Sequence, residues 1–138
     1  MLAFVKLAGV AQEKKNSSAR DKFLVLAGEA AHHSGCKRVA DRCRLLVADS
    51  NPGNIVSRFD SFAAALEDPL FRAYLRQLSR YCSYERAEHL LTQRNINPGM
   101  PDTGGQLNPG DYALLVLRSL PIPGSATRPS PAGADTAY

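Results

Sequence analysis

No uninterrupted apolar run in this sequence approaches the roughly 18 residues a membrane-crossing helix needs, so no membrane passage is expected. Cysteine is scarce. Cys36, Cys43 and Cys82 are an odd number, contain no C-x-x-C pair and fit no disulfide framework, which argues for a reducing cytoplasmic setting. Catalytic signatures are also missing: there is no G-x-S-x-G, Walker loop, dinucleotide fingerprint or H-E-x-x-H. The balance of the reading is therefore against an enzyme, and no cofactor or metal is expected. The apolar opening from Met1 to Ala11 lacks a basic leader and is interrupted by Lys6. It reads as a helix, although Gly9-Val10-Ala11 imitates a secretory cleavage site.

What is present is one domain's worth of amphipathic helix. A chain of 138 residues buries a single core. Residues 1–120 divide into helical stretches, with a long Gly/Pro/Asn loop over 95–109. Pro121, Pro123, Pro129 and Pro131, set among small polar residues, describe a disordered tail over 121–138. The expected fold is all-α: an irregular bundle of five or six short-to-medium helices. Leu2, Val5 and Ala8 mark the first, and Ser17 or Ser18 is read as the N-cap of the second. Phe23, Leu26, Ala27 and Ala30 share one face, whereas Cys36, Val39, Cys43, Leu46 and Val47 fall on nearly the opposite one. Either the chain turns at Ser34-Gly35, the favoured reading, or one helix from about Ala19 to Asp49 is covered on different sides. Asn-Pro-Gly recurs at 51–53, 97–99 and 108–110 and is read as turn chemistry. Asn108 with Pro109 also suits a helix start, so the apolar run from Tyr112 to Leu120 is read as helix in preference to strand.

The 60–94 stretch is the most legible. Asp60 or Ser61, then Asp68-Pro69, then Ser83 supply three helix starts in succession. On the middle helix Leu70, Tyr74, Leu75, Leu78 and Tyr81 are expected to face inward, leaving Arg72, Arg76 and Arg80 stacked at i, i+4, i+8 on the wet side. The charge excess of the chain, 17 basic residues against 13 acidic, concentrates here: five arginines stand against Glu85 and Glu88 between residues 69 and 101. Such a ladder either keeps an amphipathic helix soluble, neutralised by nearby glutamates, or binds an acidic partner.

A second cluster, Glu29, His32, His33, Cys36 and Cys43, carries donor atoms suited to zinc or iron. It converges only if the helix continues through Gly35. Glu29-x-x-His32 has the spacing of carboxylate-bridged di-iron bundles, but a full set would require a homodimer. A thiolate pair of Cys36 or Cys43 with His32 or His33 lacks an orienting group.

The leading expectation is a small soluble interaction module that binds a protein partner through exposed helix faces or the 95–109 loop. The first alternative is a nucleic-acid-binding domain using Arg72, Arg76 and Arg80, with Arg86 and Arg94 as auxiliaries. The second is a helical metalloprotein. A homo-oligomer is compatible with each.

Overall fold

The first helix is so rich in alanine and larger apolar residues that it has little polar surface, and a helix apolar most of the way round must be buried. The computed structural model, which describes residues 1–99 and 108–118, places it accordingly. Helix α1 (Leu2–Glu13) buries Leu2, Ala3, Phe4, Val5, Leu7, Ala8 and Ala11. Helix α2 (Ser17–His33) lies along α1, and α3 (Lys37–Ser50) along α2. A 3-10 turn (Ile55–Arg58) packs on α3, and α4 (Phe62–Leu66) on both α2 and α3. Helix α5 (Pro69–Tyr81) covers α2, α6 (Tyr84–Gln93) covers α1, and α7 (Pro109–Arg118) rests on α1 and α3. All regular structure among the described residues is helical. Its seven α-helices agree with the all-α bundle expected and are close to the number read from sequence. Residues 100–107 of the long loop and the 121–138 tail lie outside the described residues.

The chain turns at Ser34-Gly35, as favoured. Gly35 takes φ +82°, and the N–H of Cys36 reaches back to the carbonyl of Ala31 at 2.8 Å, a helix-ending pair of the left-handed kind. Helices α1 and α6 end the same way on residues that are not glycine. Lys15 (φ 58°) and Asn95 (φ 61°) occupy the left-handed position, and the N–H groups of Asn16 and Ile96 donate to Ala11 and Leu91, each at 2.9 Å.

Helix starts follow side-chain capping. Ser61 accepts from Ala64 N, Ser83 from Arg86 N and Asn108 from Asp111 N. The start of α2 corrects the sequence reading by one or two residues: the cap is Asn16, whose Oδ1 accepts from Ala19 N at 3.1 Å, while Ser17 and Ser18 already lie in the helix. The third Asn-Pro-Gly opens α7, the helix start that Asn108 with Pro109 suited. In both it and the 97–99 bend the asparagine carbonyl takes an N–H two or three residues on, so the same side chain serves a turn or a cap.

Helix α2 is covered on several sides at once. Its buried run from Arg20 to Gly28, broken only by half-buried Lys22, reflects contact with α1, α3, α4 and α5. This is why Val25, off the expected face, is buried too.

Candidate cationic cleft

Helix α5 begins because Asp68 Oδ1 accepts the N–H groups of Leu70 (2.8 Å) and Phe71 (3.2 Å) while Pro69 occupies the first helical position. Its inward face is rotated from the expected one. Phe71, Leu75 and Leu78 are buried, with Cys82 following them, whereas Leu70 is 68% and Tyr81 46% exposed and Tyr74 is half-buried. Phe71 sets this rotation. Its ring stands edge-on to both Phe62 (5.6 Å between centroids) and Phe59 (6.2 Å), an aromatic cluster that outweighs burial of one leucine near the helix start. Counting helical positions from Leu70 alone misses it.

The rotation leaves the arginine row where it was expected. Arg72, Arg76 and Arg80 are all exposed, about 6 Å apart along the axis. Ion pairing with nearby glutamates, one of the two readings of the row, is not seen: among the described residues no carboxylate lies within 4.0 Å of these guanidiniums. Arg86 and Arg94, the expected auxiliaries, are exposed on and just after α6.

Arg72 and Arg76 form one wall of a cleft of ≈ 350 Å³ between α5 and the end of α2. His32 and His33 form the other, Leu66 and Leu75 contribute apolar surface, and Ser79 adds a hydroxyl. Glu29 is the cleft's one carboxyl among the described residues, 3.9 Å from His33 Nε2. Burial pushes its titration up, an effect His33 opposes. Arg80 stands a turn further along α5, outside the cleft. The arginines and histidines are some forty positions apart, and their pairing depends on how α5 crosses α2, which no local sequence pattern shows.

The His/Cys cluster is dispersed by the turn at Gly35. Glu29 and His32 face α5, Cys36 lies beside Gly110 of α7, and Cys43 is fully buried in the core. Among the described residues no group of three His, Cys, Asp or Glu side chains could hold a metal ion. Burial pushes the Cys43 thiol up to about 12, so it is no nucleophile. Cys36, half-buried, opens on a separate ≈ 280 Å³ pocket with Lys37, Arg38 and Asp111, apart from both histidines.

Tyr81 is also placed differently from expectation. Its ring is exposed, carries Lys22 Nζ at 4.6 Å from its centroid, and lies 6.0 Å from the Phe23 ring. A third, polar pocket gathers Asp21, Lys22, Ser50, Asn51, Asn54 and Tyr74. No helix among the described residues is long and apolar enough to cross a membrane. In comparison with known proteins, the chain matches no family model, no curated protein and no solved structure.

Proposed function

We propose that this chain is a helical interaction module of the cytoplasm whose α5 face, led by Arg72 and Arg76, docks an acidic segment of a protein partner. The observation that carries the reading is an uncompensated row of cations. Helix α5 contains no acidic residue between Pro69 and Tyr81, and its three exposed guanidiniums have no carboxylate partner among the described residues. Like charges at i, i+4 cost a helix a few tenths of a kcal/mol per pair. An ordinary solvated face relieves that cost with glutamates at the same spacing, and this one does not. The cleft beside the row has apolar surface from half-buried Leu66, which suits an amphipathic acidic segment better than a bare polyanion. The three free thiols are in keeping with a reducing compartment.

A nucleic-acid partner is the second reading, and one observation favours it: Tyr81, expected to be buried, is exposed near the end of the ladder with Lys22 over its ring, which sets an aromatic and a further cation beside the arginines. Fluorescence anisotropy against a labelled Glu/Leu-rich peptide and a labelled single-stranded oligonucleotide, at about 0.15 M salt, separates the two. The peptide is expected to bind more tightly, with the affinity lost on changing Arg72, Arg76 and Arg80 together to glutamine. Tighter binding of the oligonucleotide transfers the function to the second reading. Indifference of the triple variant removes both.

A further inference from the structure

Two arginines and two histidines facing one another across a cleft supply more donors, from more directions, than a carboxylate can use. A carboxylate presents two oxygens in one plane, which a single guanidinium fork satisfies. Here Arg72 and Arg76 approach from α5 and His32 and His33 from α2, and Ser79 of α5 also lines the cleft. A group with three terminal oxygens arranged about a tetrahedral centre can engage both walls at once. The volume fits as well. At ≈ 350 Å³ the cleft far exceeds what a bare phosphate fills, and its apolar surface at half-buried Leu66 would receive the carbon chain to which the phosphate is esterified.

We propose that the cleft between α2 and α5 is a site for a phosphate monoester, carried as a phosphorylated side chain by the acidic segment that docks on α5. The inference rests on the interaction-module reading and sharpens its ligand. Two features oppose an anion there: the Glu29 carboxyl and the carbonyl end of α2, which ends at His33. Against them stand the permanently charged guanidiniums of Arg72 and Arg76, with the imidazoles of His32 and His33 opposite as further hydrogen-bonding groups. Neither arginine is committed elsewhere, since no carboxylate or carbonyl among the described residues holds its guanidinium.

The test compares three probes by isothermal titration: an acidic peptide containing one phosphoserine, the same peptide with glutamate in its place, and phenyl phosphate. The phosphopeptide is expected to bind about tenfold more tightly than its glutamate counterpart, the difference a charge-assisted hydrogen bond makes. Arg72→Gln and Arg76→Gln are each expected to erase that preference, whereas Arg118→Gln, on α7 and away from the cleft, keeps it. Both cleft arginines are exposed, so helical circular dichroism should be unchanged. Should a glutamine variant lose helicity, Arg76→Lys retains the charge without the fork and should lower the preference in a folded protein. Equal binding of the two peptides overturns the monoester site and leaves the acidic-partner reading standing. No binding of either peptide removes both. Phenyl phosphate binding as tightly as the phosphopeptide overturns the protein-borne source and makes the ligand a small phosphorylated molecule.

Discussion

The ring of Phe62 sits directly on the backbone of Gly28, so close that a β-carbon at residue 28 would fall within 3 Å of three ring carbons. This approach seats α4 against the middle of α2 and sets Leu66, at the far end of α4, over the cleft. Phe62 is further fixed by its own N–H, which donates to Asp41 Oδ1 at 3.0 Å, and by the edge-on ring of Phe71.

Gly28→Ala is therefore expected to destabilise the fold despite alanine's better helix propensity. That propensity is worth about 1 kcal/mol, while overpacking a rigid ring typically costs about 1–3 kcal/mol. The ring cannot swing aside as a flexible chain end would. Urea unfolding of Gly28→Ala, Phe62→Leu and the double variant measures it: the double should recover stability relative to Gly28→Ala alone, and strict additivity would deny the contact.

Arg20 and Asp21 make a buried ion pair, with Nη1 at 3.2 Å from Oδ1 and both within reach of Ser50 Oγ (3.0 and 3.2 Å). Arg20 is 1% exposed, and its Nε and Nη2 have no hydrogen-bond partner among the described residues. Burial costs both ions: it lowers the arginine's titration and raises the aspartate's, each effect opposed by the other partner. Removing one partner alone leaves a buried charge uncompensated, so Asp21→Asn should destabilise by about 3–5 kcal/mol. The double change Arg20→Met with Asp21→Leu should regain most of that loss. Denaturation midpoints decide it, and a double variant as unstable as the single one would show the pair to be a net stabiliser.

The cysteines differ in access. Cys43 is fully buried with its thiol pushed up to about 12, and Cys82 is buried with its thiol raised by desolvation against the pull of Arg86. Cys36 is half-buried at the start of α3 and lines an open pocket. Titration with an aromatic disulfide at mild alkaline pH should find one fast thiol in the native protein, lost in Cys36→Ser, and two that react only as the chain unfolds. Three fast thiols would mean that the α3 and α5 interfaces open freely.

Much of this fold is legible in sequence because its helix starts are written in side chains: Ser61, Asp68, Ser83 and Asn108 all cap as their residue types suggest. Helix ends are less so. Gly35 announces the turn between α2 and α3, but Lys15 and Asn95 adopt the same left-handed conformation without a glycine to signal it. The rotation of α5 was hidden for another reason. Leu70 and Phe71 are both apolar and adjacent, and only the distant rings of Phe59 and Phe62 decide which turns inward. The cleft follows the same logic, since the arginine row is local to one helix while its pairing with His32 and His33 is tertiary.

Glu29 gives the cleft a measurable signature. Burial raises its carboxyl above the ordinary glutamate range, with His33 pulling the other way. A carboxyl that holds its proton more tightly when folded contributes stability that is complete below the unfolded value and is lost as pH rises through the folded one. The stability of the native protein minus that of Glu29→Gln should therefore fall as pH climbs from the ordinary glutamate range, then level off once Glu29 is ionised in both states. Urea unfolding of the two proteins across mildly acidic to neutral pH measures this directly. A difference that grows with pH would reverse the sign, meaning that His33 and the two cleft arginines hold Glu29 ionised and outweigh its burial. The same substitution removes a carboxyl opposing an anion in the cleft, so Glu29→Gln should bind the acidic peptide more tightly at neutral pH. Weaker binding would make Glu29 a support for the histidines, with their orientation worth more than the repulsion it removes.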